Sequence, residues 1–308
     1  MHNDEHAPAT RPPRHLATAG HGNPAVGLGL MASAMLVLPG MDAIAKLLSA
    51  HLHAIEIVWG RYVFQVALML PIVLAVLGPR RLMPARPGLQ VLRGLLLVAS
   101  AVCFFSSLKT LPLADALAIF FVNPFIVTAL SPVLLGEPVG IWRWSAVVAG
   151  FAGALLIIRP GADILGGGAP LAFAGASLYA LSLIVTRQVA AHDGALLTTL
   201  VTGLVGVAAT SMALPALWVM PEPAEWGMLA AAGAIAGFGQ ASVALAFRHA
   251  PAAVLAPIGY LEIASGTVLG FWLWGDLPTP LTWAGIAVIV ASGLVIVWRE
   301  TRKGRRAA

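Results

Sequence analysis

Residues 107–158, SLKTLPLADALAIFFVNPFIVTALSPVLLGEPVGIWRWSAVVAGFAGALLII, align without a gap with residues 246–297 at a constant offset of 139 (251 − 112 = 139). The offset matches several landmark residues, namely Pro112 with Pro251, Gly136 with Gly275, and Trp144 with Trp283. Only 11 of the 52 aligned pairs are identical, so these landmarks rather than overall identity support the alignment. We therefore interpret the chain as two copies of one unit.

Composition assigns the chain to the membrane proteins. Of its 308 residues, 59% are hydrophobic and 10% are charged, whereas a soluble domain carries about 25% charged residues. A helix needs about 20 apolar residues to cross a bilayer. The sequence predicts ten such stretches, at 25–48, 55–77, 89–110, 113–135, 142–159, 169–190, 195–219, 226–249, 253–274 and 282–299.

The number of spans in each copy fixes its direction. Because each copy has five spans, the second must be inserted upside down relative to the first. Many secondary transporters have this design, with the substrate held near the midplane. We therefore predict an all-α membrane protein in which ten transmembrane helices form two inverted five-helix repeats, 23–160 and 161–299, around a central cavity. Residues 1–22 are predicted to be a disordered cytoplasmic tail and 300–308 a basic cytoplasmic tail.

Charge placement predicts the orientation. With the amino terminus in the cytoplasm, fourteen arginine and lysine residues, Arg93 among them, fall on that side and three on the other. The positive-inside rule then places both termini in the cytoplasm. We expect a multi-pass protein of the bacterial inner membrane that contacts the lipid bilayer, binds no nucleic acid, and is a monomer or a weak dimer.

Three ionisable residues lie well inside predicted spans, where charge is costly and usually functional. Asp42 and Arg61 are each about 9 Å from the same end of the first two spans, at 1.5 Å of rise per residue. They form either an ion pair that holds these helices together, or part of a gate that contacts a zwitterionic substrate. The third residue is Glu262.

Glu262 corresponds to Asn123 under the repeat offset (262 − 123 = 139). Each lies roughly 12–14 Å into its span, and the two spans enter from opposite surfaces. We expect both side chains to line the midplane cavity, with Glu262 contacting a substrate amine or acting as a proton-linked switch. The alternative is that Glu262 bonds a neighbouring helix, through Tyr260 or Thr267.

Aromatic and amide side chains near the midplane complete the predicted substrate site, since aromatic rings can bind an ammonium group. The predicted substrate-binding set is Glu262, Asn123, Trp59, Tyr62, Gln65, Tyr179, Gln240 and Tyr260. For each aromatic or amide member the alternative is simple packing between helices. Three prolines within spans, Pro39, Pro124 and Pro257, are predicted hinges.

The fifth and tenth spans carry small residues but no interior charge, and we expect them to pack closely, either within the monomer or between copies. None of the eight histidines lies deep in a span, and no phosphate-binding glycine loop is present. We therefore expect no catalytic residue, no metal site, no cofactor and no enzyme activity.

Several segments resemble a known family. They are the stretch from Leu92-Arg-Gly to Phe105, the stretch from Leu111 to Pro124, the Leu-Gly-Glu at 135–137, Arg61, and the Leu-Trp-Gly-Asp at 273–276. Together with the ten spans, they look like the EamA branch of the drug/metabolite transporter superfamily. The resemblance implies cytoplasmic termini and a central cavity between inverted repeats. Many members export amino acids or other metabolites, and some take up riboflavin or S-adenosylmethionine.

The residues and the resemblance together predict a secondary transporter that exports small metabolites, with amino acids favoured, by alternating access. Two alternatives stay open. One is an uptake carrier for a larger metabolite such as S-adenosylmethionine or riboflavin, and the other is a passive channel.

Overall fold

The structure is a computed structural model that describes residues 23–136, 139–158, 167–190 and 193–307. The predicted tail 1–22 and Glu137 lie outside these ranges. Throughout the described ranges the ordered elements are helices, with no strand. They are α1 (Pro24–Leu48), α2 (Ala54–Leu77), α3 (Pro87–Ser107), α4 (Leu113–Phe120), α5 (Asn123–Leu134), α6 (Ile141–Ile158), α7 (Ala169–Ala190), α8 (Ala195–Leu217), α9 (Pro223–His249), α10 (Ala252–Gly259), α11 (Leu261–Trp274) and α12 (Pro280–Ala307), with a 3-10 turn at Pro79–Arg81.

The helices reproduce the ten predicted spans. Nine segments of the described chain have the length and hydropathy of a membrane span, and Pro280–Ile296 of α12 is a shorter tenth. Helix α12 continues to Ala307, so the backbone of the predicted tail 300–308 is helical almost to its end. The fourth and ninth spans, predicted as single stretches, each consist of two helices: α4 with α5, and α10 with α11.

The break in the fourth span has a local cause. Pro124 lacks an N–H, so it cannot bond the carbonyl of Phe120 four residues earlier. The Asn123 side chain supplies the missing donor, because its Nδ2 donates to Phe120 O at 2.8 Å. The chain turns at Phe121–Val122 and resumes as α5 at Asn123. In the ninth span Pro257 lies inside α10, and the break follows at Tyr260.

The two breaks meet inside the bundle. The rings of Phe121 and Tyr260 lie with their centroids 5.6 Å apart. These residues are equivalent under the repeat offset (260 − 121 = 139). A contact between equivalent residues is expected where a two-fold axis passes between the repeats.

The packing of the helices has the same two-fold symmetry. The first three spans, α1, α2 and α3, correspond to α7, α8 and α9 of the second repeat. The contact of α1 with α9 is therefore equivalent to that of α7 with α3, and the contact of α2 with α9 is equivalent to that of α8 with α3. The contacts of α6 with α12 and of α2 with α8 map onto themselves. Because each repeat crosses five times, the second runs in the opposite direction to the first, as predicted.

Glycines allow equivalent helices to approach each other closely. A Cβ atom on Gly94 of α3 would lie 2.7 Å from Val205 Cγ1 of α8, and one on Gly233 of α9 would lie 2.6 Å from Phe64 Cβ of α2. Gly94 and Gly233 are separated by the same offset as the C-terminal parts of the repeats (233 − 94 = 139). The duplication therefore extends into the third and eighth spans.

The fifth and tenth spans pack backbone to backbone within the monomer. A Cβ atom on Gly285 of α12 would lie 2.6 Å from Gly153 O, and one on Gly153 of α6 would lie 3.0 Å from Gly285 O. Gly153 and Gly285 thus let α6 and α12 pack closely within the monomer, whereas Gly150 of α6 packs against Phe125 and Gly293 of α12 against Tyr260.

Replacing Gly285 with alanine should lower the thermal unfolding midpoint of the purified protein. The new Cβ would meet a backbone oxygen that cannot turn aside, and overpacking of this kind costs about 1–3 kcal/mol. Gly29→Ala is the matched control, since no atom of the described chain lies within 4 Å of a Cβ at that helical position. Alanine should be neutral or stabilising there, because it favours the helix. Equal effects of the two variants would contradict the close contact of α6 and α12.

Candidate substrate-binding site

Six side chains in the interior of the bundle interact with one another in a closed circuit, which we call the polar ring. Four come from the first repeat and two from the second, so the ring crosses the boundary between the repeats. Its members are Asp42 on α1, Arg61 and Tyr62 on α2, Arg93 on α3, Tyr179 on α7 and Glu262 on α11.

Two carboxyl groups and one guanidinium form one side of the ring. Asp42, which is 4% exposed, interacts electrostatically with both Arg61 and Glu262. Asp42 and Arg61 are therefore close enough to interact, as predicted, but the salt bridges found in the described chain do not include this pair. The interaction between Asp42 and Glu262 joins the first repeat to the second, because α1 packs against α11.

Arg61 is held mainly by aromatic and sulfur contacts. Its guanidinium carbon lies 4.1 Å from the centroid of the Tyr62 ring and 5.9 Å from that of Phe105. Its Nη1 donates weakly to Met41 Sδ at 3.7 Å, and its Nε is buried with no hydrogen-bond partner in the described chain. Cation–π contacts of this kind stabilise a desolvated guanidinium while leaving donors available to a ligand.

Tyr179 and Tyr62 connect this side of the ring to Arg93. Tyr179 interacts electrostatically with Glu262 and with Arg93. Tyr62, which is 2% exposed, also interacts with Arg93. The circuit is therefore closed by two phenol groups, each of which can donate or accept a hydrogen bond.

Arg93 is bonded to three threonines on two other helices. Its Nε donates to Thr186 Oγ1 of α7 at 2.7 Å, and its Nη1 donates to Thr202 Oγ1 of α8. The same Nη1 reaches Thr198 O at 3.4 Å. Thr198 and Thr202 are one turn apart on α8, so both face α3. Gly94, the next residue along α3, is what allows α3 to lie this close to α8.

Sequence reasoning missed Arg93. We counted it with the cytoplasmic basic residues that set orientation, yet it lies six residues into α3 (93 − 87 = 6), about 9 Å along the helix axis. A positive residue inside a predicted span, with threonines in two other spans, was the available signal. The positive-inside count does not separate residues at a span's end from residues inside it.

Gln65 lies one turn beyond Arg61 and Tyr62 on α2 and is 1% exposed. Both of its amide atoms are buried without a hydrogen-bond partner among the residues that the structure describes. It packs against the glycine face of α9, since Cβ atoms on Gly233 and Gly237 would lie 2.8 Å from Gln65 N and 3.9 Å from Gln65 Cγ. An unsatisfied buried amide is uncommon, and such groups often belong to functional sites.

The remaining predicted site residues lie outside the ring. Trp59 is hydrogen-bonded to Ser211 Oγ at 3.0 Å and packs edge-on against Trp218 and Trp226, whose centroids lie 5.5 and 6.3 Å away. Gln240 is half-buried on α9. Of the predicted hinges, Pro39 lies within the continuous helix α1.

Asn123 and Tyr260 lie at the helix breaks. The Nδ2 of Asn123 bonds its own chain at Phe120 O, and the Tyr260 ring packs against Phe121 and over Gly293. Glu262 is in the first turn of α11, and Asn123 is the first residue of α5. Both therefore begin half-helices, as substrate-contacting residues do in discontinuous spans of other transporters. A cavity shared by Asn123 and Glu262 remains a prediction.

Comparison with known proteins identifies the family. The model of the EamA-like transporter family matches residues 25–159 and 166–298, one match per repeat. The chain belongs to the EamA-like transporter family. The resemblance to the drug/metabolite transporters and the two-repeat all-helical fold predicted from the sequence are thereby confirmed.

Several EamA-like relatives have named functions. The riboflavin transporter of Rhizobium johnstonii is 28% identical over 72% of this chain and 74% of its own. The S-adenosylmethionine uptake transporter of Rickettsia bellii is 24% identical over 90% and 95%, and the pseudopaline exporter CntI of Pseudomonas aeruginosa is 27% identical over 90% and 97%. A protein of known crystal structure, 17% identical, superposes with a TM-score of 0.64 over 91% of this chain and 99% of its own, which supports the fold.

Polar contacts between the two EamA repeats are also found at both ends of the bundle. We call the end that carries the α1–α2, α8–α9 and α11–α12 loops the α1–α2 face. There Lys46 Nζ lies 3.2 Å from Asp276 Oδ2 and 4.6 Å from the centroid of the Trp274 ring. His51 Nδ1 lies 3.0 Å from Glu225 Oε1. These contacts join the first repeat to the second.

The opposite end, which we call the α2–α3 face, carries a comparable contact. The Oδ1 of Asp193, in the α7–α8 loop, accepts from Ala85 N in the α2–α3 loop at 2.8 Å. Its Oδ2 accepts from Gln90 Nε2 at 2.9 Å, and the same Nε2 lies 3.1 Å from Thr198 Oγ1. Both ends of the described bundle are therefore bridged by polar contacts between the repeats, with the ring enclosed between them.

Gln65→Leu should raise the thermal unfolding midpoint of the purified protein. Leucine has a similar volume and removes two buried polar atoms that no protein group satisfies, a change that is neutral or stabilising in an apolar interior. Gln90→Leu is the matched control, because Gln90 is equally buried but its Nε2 is bonded to Asp193 and Thr198. That variant should be destabilised by about 1–3 kcal/mol. A loss of stability in Gln65→Leu as large as in Gln90→Leu would contradict the unsatisfied state of Gln65.

Proposed function

We propose that the protein is a secondary transporter that exports a small zwitterionic metabolite, with amino acids as the favoured substrates. The observation that carries the proposal is the separation of charge in the polar ring. Asp42 interacts electrostatically with both Glu262 and Arg61, whereas Arg93 interacts with Tyr62 and Tyr179 and donates to threonine hydroxyls of α7 and α8. The ring thus offers a carboxyl pair to an ammonium group and a second cation elsewhere to an anionic group.

The position of the ring supports transport by alternating access. Because α1, α2 and α3 belong to one repeat and α7 and α11 to the other, any rocking of the repeats changes the distances between ring members. Glu262 is on a half-helix that begins at the break, where a small change in backbone angles can reorient it. The contacts on the two faces are suited to act as gates that open in turn.

Direction and orientation are part of the proposal. The relatives include an exporter and an uptake transporter at similar identity, so we propose export on the basis of the sequence interpretation and the pseudopaline exporter. We further propose that the protein resides in the inner membrane with both termini in the cytoplasm, as the distribution of arginine and lysine indicates.

Purified protein in proteoliposomes should catalyse counterflow of radiolabelled amino acids, tested as a panel that also contains riboflavin and S-adenosylmethionine. Glu262→Gln should lower the counterflow rate by about tenfold or more, because a charge-assisted hydrogen bond to the substrate ammonium is lost. The control is Glu222→Gln, which changes an exposed carboxylate at the start of α9. Rates should be compared with and without a pH gradient.

The outcomes discriminate between the candidate functions. Unchanged rate and unchanged pH dependence in Glu262→Gln would remove Glu262 from the mechanism. Conductance without counterflow would replace the carrier by a channel, and counterflow confined to riboflavin or S-adenosylmethionine would replace the amino-acid exporter by a carrier of larger metabolites.

The orientation predicts the behaviour of reporter fusions in a bacterial host. Green fluorescent protein fused after Ala308 should fluoresce, whereas alkaline phosphatase at the same position should be inactive, because it folds only outside the cytoplasm. Fusions placed in the loop after Leu217 are the matched control and should behave in the opposite way. Active phosphatase at the carboxyl terminus would reverse the proposed orientation.

A further inference from the structure

Arg93 is a cation inside the bundle whose hydrogen bonds, within the described residues, go to neutral groups. Its partners are the hydroxyl oxygens of Thr186 and Thr202 and the carbonyl oxygen of Thr198. No carboxylate among the described residues makes an ion pair with it. Charge without a counter-ion in a bilayer interior is costly, and such residues usually serve a ligand or a transport pathway.

Other cations of the same bundle are compensated differently. Lys46 pairs with Asp276 at 3.2 Å, and Arg61 interacts with Asp42. Asp193 belongs to the hydrogen-bond network that includes Thr198, but its carboxylate accepts from Ala85 N and Gln90 Nε2. In the described part of the chain the network leads from Asp193 to Arg93 through Gln90 and Thr198. Arg93 therefore differs from Lys46 and Arg61, because in the described chain its contacts are with hydroxyl, carbonyl and phenol groups and not with a carboxylate.

One hypothesis explains both why Arg93 has no carboxylate partner among the described residues and why the ring carries carboxyl groups and this arginine at different places. We infer that Arg93 binds the carboxylate of the transported molecule, while the Asp42–Glu262 pair binds its cationic group. This inference deepens the proposed function and rests on it. A guanidinium presents a planar fork that matches a carboxylate in a bidentate geometry.

The size of the charge favours a carboxylate over a phosphate. Arg93 supplies one positive charge, and the groups around it are threonine oxygens and two tyrosines. A carboxylate carries one negative charge, whereas a phosphate monoester carries about −1.5 to −2 at neutral pH. A single arginine would leave the phosphate undercompensated in a medium of low dielectric constant. The substrate class is therefore a molecule with one carboxylate and a separate cationic group.

A structural role for Arg93 makes a different prediction. If the arginine only fastens α3 to α7 and α8 through its three threonine partners, replacing Thr202 with a larger side chain loosens this contact, and the space beside Arg93 is not shaped to hold a carboxylate. If Arg93 is an empty anion site, a tethered carboxylate takes the place of the substrate. Thr202 is suited to carry that group, because its Oγ1 accepts a hydrogen bond from Arg93.

The first experiment measures thermal unfolding of the full-length protein in nanodiscs and needs no transported substrate. Thr202→Glu should raise the unfolding midpoint above that of Thr202→Gln, which has the same size without the charge. In an Arg93→Gln background the order should reverse, because the new carboxylate is then buried without a cation. A midpoint of Thr202→Glu at or below that of Thr202→Gln in the presence of Arg93 would overturn the anion site.

The second experiment tests the substrate side in proteoliposomes, with labelled L-leucine as the probe. Unlabelled leucine should compete with the label about tenfold or more better than isopentylamine, which is leucine without its carboxylate. Arg93→Gln should abolish that preference, and Arg93→Lys should restore part of it. Retention of the full preference in Arg93→Gln would overturn the inference. Absence of leucine counterflow in the wild type would count against the amino-acid proposal instead, and the unfolding measurement would still decide the role of Arg93.

Discussion

The interior of this protein is organised by the cost of burying like charges together. Asp42 and Glu262 come from different repeats and lie close enough to interact. Two carboxyl groups in a medium of low dielectric constant repel each other strongly unless a cation is near. Arg61 is the cation that interacts with Asp42, and aromatic contacts with Tyr62 and Phe105 hold its guanidinium in place. The boundary between the repeats is thus also where the electrostatic balance of the molecule is set.

Duplication supplies the geometry of the ring, and divergence between the copies supplies its chemistry. Phe64 and Val205 occupy equivalent contacts with Gly233 and Gly94, which gives an offset of 141 between the second and seventh spans (205 − 64 = 141). The same offset makes Thr202 the counterpart of Arg61 (202 − 61 = 141). One repeat therefore places a cation where the other places a hydroxyl group that accepts from Arg93. A symmetric scaffold carries an asymmetric, dipolar site, which is what a molecule with two unlike charged ends requires.

The repeats, the spans and five of the six ring members were predicted from the sequence, because long apolar segments and the polar residues inside them can be recognised without a structure. Sequence reasoning noted no role for Arg93 beyond orientation, although the residue lies inside a predicted span, because the direction of its side chain depends on the close approach of α3 to α8 at Gly94 and Val205. It also could not assign the Asn123 amide, whose Nδ2 satisfies a carbonyl that Pro124 leaves free. Both outcomes depend on contacts made after folding, beyond what spacing along a helix specifies.

The close contacts and the polar contacts divide the bundle into parts with different capacity to move. Helices α6 and α12 meet through backbone atoms at Gly153 and Gly285, and any separation there would open a gap that no side chain fills. The Lys46–Asp276 contact on the α1–α2 face, by contrast, joins partly exposed side chains that water can solvate when they part. Separating a polar pair that water can reach costs less than pulling apart packed helices. Motion between the repeats is therefore expected at the faces, with α6 and α12 as the fixed axis and the ring as the region whose distances change.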